Sequence, residues 1–159
     1  MKGEIFMVKK IVIAGCRDYN NYEEAKLYID FCLSDILKEN NIVIVSGCAS
    51  GADAIGEQYA KENGFKVEKY PADWEKYGRG AGPRRNKQMA EVCDCVICFW
   101  DGKSKGTKSM ISYAKEQKSP IQVATYMFPP IRRDSTMIGK NARLSPEDAA
   151  LARVTADYL

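Results

Sequence analysis

Five short runs rich in valine and isoleucine, at 11–15, 42–46, 66–70, 94–99 and 121–126, alternate strictly with helix-patterned stretches at 22–38, 51–63, 83–93 and 107–117. Short right-handed crossovers make successive strands parallel and put helices over both faces. Burial on both faces explains why these strands read as continuous apolar runs. The expected fold class is α/β, a doubly wound, mainly parallel five-stranded sheet in the order 3-2-1-4-5. Ligands of such sheets bind beyond the carboxyl ends of the strands, at the switch between the first and fourth strands. The segments expected there are Gly15-Cys16-Arg17-Asp18-Tyr19 and Trp100-Asp101-Gly102-Lys103.

At 159 residues and 45% hydrophobic content the chain suits one domain with its own core. Its apolar runs are too short to span a bilayer, and its first residues lack a secretory apolar core, so it reads as cytoplasmic with no membrane partner. A net charge of +3 is too small to mark a nucleic-acid binder by itself. The absence of histidine excludes Ser-His-Asp and Cys-His catalysis, and no metal or certain cofactor is expected. Cys93, Cys95 and Cys98 read as core residues on a buried strand. Past Met127 the prolines of Phe128-Pro129-Pro130 cannot continue a central strand. Residues 1–127 therefore read as the domain and 128–159 as a linker plus a short helix capped by Ser145, either docked or loosely attached.

Two glycine-bearing loops, Ser46-Gly47-Cys48-Ala49-Ser50-Gly51-Ala52-Asp53 and Asp101-Gly102-Lys103-Ser104-Lys105-Gly106-Thr107, each join an apolar run to a helix pattern. Glycines permit close backbone approach and the unpaired N–H groups of a helix start attract anions, which is the arrangement that cradles phosphate. Neither loop carries the P-loop or the Gly-x-Gly-x-x-Gly pattern. Arg84 and Arg85 follow Gly82-Pro83 at an expected helix start, and Lys103, Lys105 and Lys108 surround another. Cations there oppose the helix dipole, a conflict resolved by an anionic ligand or by acidic partners in the protein. Asp53 fits either a ribose hydroxyl or the dipole of its helix. Tyr19 and Trp100 fit either stacking on a base or packing against their loops. The glycine-rich stretch 74–83 reads as a lid over a ligand or as an ordinary surface loop.

These motifs together resemble the SLOG superfamily, the Rossmann-like group that includes DNA-processing protein A and the LONELY GUY enzymes, and most of all its small YspA-like members. The likeness runs over residues 9–126 and includes Arg85-Asn86-Lys87, similar to an Arg-Asn-Arg stretch of the DNA-processing relatives. Arg85 and Met89 also match the Arg-Lys-x-x-Met pattern of LONELY GUY enzymes. In those enzymes a Pro-Gly-Gly-x-Gly-Thr-x-x-Glu motif supplies phosphate-binding amides and a catalytic glutamate. Here Gly106-Thr107 matches the Gly-Thr, Met110 stands where the glutamate is expected, and Asn86 replaces the lysine. The resemblance also implies a homo-oligomer.

The leading expectation is a module that senses or sequesters a nucleotide or an ADP-ribose-type ligand. Gly15, Cys16, Arg17, Asp18, Gly47, Ser50, Gly51, Asp53, Arg84, Arg85, Asn86, Trp100, Asp101, Gly102, Lys103, Gly106 and Thr107 are its candidate binding residues. Charge reversal of Arg85 is expected to reduce affinity without unfolding the chain. The alternative is N-glycosidic hydrolysis, for which Asp18, Asp53 and Asp101 are the candidate acids or bases. A third reading is single-stranded nucleic-acid binding, with Trp74, Tyr77 and Trp100 as stacking aromatics, which the modest net charge disfavours.

Overall fold

The computed structural model describes residues 7–38, 40–118 and 121–129. Its elements are β1 (Met7–Gly15), α1 (Tyr22–Leu33), β2 (Asn40–Ser46), α2 (Ala52–Asn63), β3 (Lys66–Lys69), α3 (Trp74–Tyr77), a 3₁₀ turn (Gly78–Gly80), α4 (Ala81–Val92), β4 (Cys95–Trp100), α5 (Lys105–Lys115) and β5 (Gln122–Met127). The strands form one sheet in the order β3-β2-β1-β4-β5, and every pairing is parallel. Alternate residues of each central strand feed two cores. Ile11, Ile13, Ile97 and Phe99 pack with Tyr28, Ile29 and Tyr59 under α1 and α2. Val12, Ala14, Val96 and Cys98 pack with Met89, Met110 and Ala114 under α4 and α5. All six cysteines are free. Cys95 and Cys98 sit on opposite faces of β4, while Cys93 lies before that strand as the α4 C-cap. Burial pushes the Cys93 thiol up to about 11 and that of Cys95 up to about 12, so both remain protonated at neutral pH.

The expected boundaries shift for local reasons. Helix α1 stops at Leu33 because the Ser34 hydroxyl and N–H both donate to the Phe31 carbonyl, at 3.0 and 3.4 Å. Helix α4 begins two residues before Pro83, which occupies a first-turn position whose N–H has no intrahelical acceptor anyway. The 74–83 stretch is largely helical rather than a loop: Asp73 caps α3 by accepting from the Lys76 N–H at 3.0 Å, and the 3₁₀ turn leads directly into α4. Phe128, read as linker, belongs to the core: its ring lies tilted against that of Tyr19, centroids 4.7 Å apart, and its N–H donates to the Trp100 carbonyl at 3.1 Å. The expected helix at Ser145 lies outside the described residues.

Two glycines let the ends of β1, β4 and α2 meet. Gly15, with φ +152°, lies against Phe99, where a Cβ would be 2.8 Å from the Phe99 amide nitrogen. Gly51, with φ +73°, caps α2 where a Cβ would clash with the carbonyls of Cys16 and Arg17. Gly51→Ala is therefore expected to destabilise the fold by about 2 kcal/mol or more, combining an unfavourable φ with a backbone clash. Gly64→Ala, at φ +70° with open space around it, is expected to lose only about 1 kcal/mol. Urea denaturation of both variants checks the difference.

Candidate functional site

Gly15 and Phe99 are register partners, so the loops after β1 and β4 leave the sheet side by side. With the starts of α2, α4 and α5 they enclose a cleft of about 530 Å³. A smaller lobe of about 280 Å³ adjoins it beside the loop after β2, and Arg17, Ala49, Trp74 and Arg85 line both.

Arg85 is a buried charge tied on two sides. It lies in the second turn of α4 at 8% exposure, with Nε donating to Asn86 Oδ1 at 3.0 Å and Nη1 donating to the Gly47 carbonyl. Asn86 donates through Nδ2 to the Gly106 carbonyl at 3.2 Å. Two adjacent residues of α4 thus fasten the loop after β2 to the first turn of α5. Asp53, 4% exposed in the first turn of α2, accepts from the Ala49 N–H at 3.2 Å. A Cβ at Gly47 would stand 2.6 Å from Arg85 Nη1 and 2.7 Å from Asp53 Oδ2. Only a glycine there leaves room for the guanidinium and the carboxylate. Burial pushes the Asp53 carboxyl above its ordinary 3.8, opposed by the Ala49 N–H and the Arg85 charge. Burial also lowers the Arg85 pKa, against the opposing effect of Asp53.

The two helix starts differ. At α2 the Ala52 N–H already donates to the Cys16 carbonyl at 3.2 Å, and the Ser50 hydroxyl donates to the Arg17 carbonyl at 3.2 Å. At α5 Ser104 is the cap, its Oγ accepting from the Thr107 N–H at 3.4 Å and from the Thr107 hydroxyl at 3.2 Å. The N–H groups of Lys105 and Gly106 have no intrahelical acceptor, both residues line the cleft, and a Cβ at Gly106 would meet open space. No acidic residue stands in the first turn of α5. At α5 the conflict read from the sequence is met in part from the preceding loop, where the Asp101 carboxylate accepts from the Lys103 and Ser104 N–H groups. At α4 it is answered inside the protein: Arg85 bonds the Gly47 carbonyl, and Arg84 lies over the Tyr77 ring, 4.1 Å from its centroid.

Of the residues singled out from the sequence, Gly15, Cys16, Arg17, Asp18, Asp53, Arg85, Asn86, Asp101, Gly106 and Thr107 line the larger cleft. Gly47 and Ser50 line the smaller lobe with Arg17 and Arg85. Gly51, Arg84, Trp100, Gly102 and Lys103 line neither. Trp100 serves its own loop, its indole N–H donating to the Ser104 carbonyl at 3.0 Å, and Tyr19 stacks in the core on Phe99 at 4.9 Å. Asp101 also shapes that loop, Oδ1 accepting from the N–H groups of Lys103 and Ser104 at 2.8 Å each. Burial raises the Asp101 carboxyl, but those donors outweigh it and hold it below its usual range. Met110 lines the cleft at 1% exposure, so the position expected to hold a glutamate does face the site and presents a thioether. The Cys16 thiol, 3.9 Å from the Thr107 hydroxyl, is pushed up by burial. Sequence reasoning missed Ser104 as the α5 cap, although a serine three residues before Thr107 is a start signal. It also missed Cys48, which has φ +61° and lines the smaller lobe. Among the described residues no group of three or more His, Cys, Asp or Glu is arranged to hold a metal.

The model of the YspA, cpYpsA-related SLOG family matches residues 9–77. Gene 61 protein of Mycobacterium phage D29 is 30% identical over 122 residues, covering 72% of this chain and 94% of that protein. The chain belongs to the YspA-related SLOG family. Its solved structural neighbours include DNA processing protein A of Streptococcus pneumoniae, at a TM-score of 0.57 and 19% identity over 94% of this SLOG chain. The chain spans 56% of that protein's length. DNA processing protein A of Helicobacter pylori, solved for its single-stranded DNA binding mode, gives a TM-score of 0.51 at 24% identity, over 79% of this chain and 67% of its own. At these identities the two structures establish the fold alone.

The burial of Arg85 revises the expectation for its reversal. Arg85→Glu places a second carboxylate beside Asp53, and a loss of about 3 kcal/mol or more is expected by urea denaturation. The raised Asp53 carboxyl also has a signed pH effect. The folded chain takes up that proton before the unfolded chain does, so this group's contribution to stability is fully present below 3.8 and is lost as pH rises through the folded pKa. The stability of wild type relative to Asp53→Asn is therefore expected to increase as pH falls from 7 towards 4.

Proposed function

We propose that this chain binds a phosphorylated, ribose-containing nucleotide ligand in the cleft at the β1–β4 switch and acts as a sensing or sequestering module. The observation that carries this reading is the start of α5. There, the N–H groups of Lys105 and Gly106 lack intrahelical acceptors, Lys105 lines the cleft, and no carboxylate stands in the first turn, a combination that favours an anion in the open space before Gly106. Arg85 adds a fixed positive charge from the facing helix, and Asp53 is the acceptor suited to a ribose hydroxyl. Hydrolysis is the weaker reading, because Met110 cannot take a proton and Asp101 is committed to its loop.

A second reading is single-stranded nucleic-acid binding. It is supported by two partly exposed aromatics near the cleft that are faced by cations: Trp74 by Arg17, and Tyr77 by Lys76 and Arg84. Salt-dependent retention of an oligonucleotide, with no binding of mononucleotides, is the outcome that selects it.

Gly106→Asp provides the direct test of the leading reading. The added carboxylate enters open space at the second position of α5, where it complements the helix dipole, so the melting temperature is expected to hold or rise. It also occupies the proposed phosphate position, and calorimetric affinity for 5′-nucleotides is expected to fall at least about tenfold. A Gly106→Asp protein that binds as tightly as wild type contradicts the assignment.

A further inference from the structure

We propose that Trp74 is the base platform of this site: the smaller lobe is a slot for a nucleobase, and the larger cleft takes the attached phosphate. The inference rests on the nucleotide reading of the cleft and assigns its two halves. Trp74 is 50% exposed, whereas the other tryptophan has its indole N–H committed to a loop carbonyl. Its position is fixed from several sides. Asp73 caps the short helix that carries it, and Gly82 backs the ring, with room for a Cβ only 3.4 Å from Cη2. The Arg17 guanidinium carbon lies 5.7 Å from the ring centroid. A held indole with an open surface is a stacking platform that loses little conformational entropy on binding.

The chemistry of the two lobes is unequal. The smaller one is lined by Pro71, Ala72 and Trp74 together with the Gly47–Ser50 loop and the shared Arg17 and Arg85. An exposed indole beside a glycine-bearing loop and two arginines suits a planar heterocycle with polar edges. The larger lobe holds the cationic start of α5, which suits the phosphate. Arg17, Ala49, Trp74 and Arg85 line both lobes, so the sugar joining base to phosphate crosses at those residues.

The test compares ligands with and without a base. The four common ribonucleoside 5′-monophosphates and ribose 5-phosphate are titrated calorimetrically into wild type, Trp74→Ala, Trp74→Phe and Tyr77→Ala. For the tightest monophosphate, Trp74→Ala is expected to lose about tenfold or more in affinity, with Trp74→Phe retaining most of it. Ribose 5-phosphate is expected to bind wild type and Trp74→Ala alike. Tyr77 lies outside both lobes, and its variant is expected to match wild type. Equal losses for monophosphate and ribose 5-phosphate, or no loss for either, overturn the platform while leaving the cleft as the binding site. Binding of none of these ligands by wild type overturns the nucleotide reading and the platform with it. Trp74 is half exposed, and thermal melts of each variant separate lost binding from lost folding.

Discussion

Strand β1 is hydrogen-bonded to parallel neighbours on both sides and covered by helices on both faces. Its polar groups therefore have no outlet except at the strand end, and the same holds for β4 beside it. Because the connections after β1 and β4 turn to opposite faces, their loops separate and leave a crevice at the carboxyl edge. The crevice follows from sheet topology and needs no special residue to open it. What the residues decide is how closely the surrounding loops approach and what charges they bring. Gly15 and Gly51 let three backbones meet there, so their lack of a side chain serves contacts within the protein first.

The charge distribution around the crevice has two layers. Deeper in, Arg85 and Asp53 crowd the same glycine and moderate each other's desolvation, while Asn86 carries the tie onward to α5. These groups hold the walls at a fixed separation. Nearer the surface, the first turn of α5 carries positive charge that no carboxylate in that turn offsets. An anion bound there would interact with a start already capped by Ser104 and Asp101, and little reorganisation would accompany its arrival.

The position that faces the cleft where a glutamate is expected carries Met110, whose side chain is also part of the α4–α5 core. Replacement of a carboxylate by a buried thioether removes a proton acceptor and adds apolar packing.

The sequence alone determined the α/β class, the strand order and the edge of the sheet at which the cleft lies, because valine- and isoleucine-rich runs alternating with amphipathic helices have few ways to bury both sheet faces. It also placed the two glycine loops and Arg85 near the carboxyl edge of the sheet. Tertiary structure decided what each did there. Arg85 reads in sequence as a cation at a helix start, facing either an anionic ligand or an acidic partner, yet α4 begins earlier than the sequence suggests and turns its guanidinium inward to Gly47. Trp100 reads as either a stacking or a loop-packing residue and closes its own loop, while Trp74, from a distant segment of the chain, lines both lobes of the site. Helix and strand periodicity is a local property that neighbouring residues encode. Which side chain is buried, paired or left facing a cleft depends on contacts between segments far apart in the chain, and only the folded molecule brings those together.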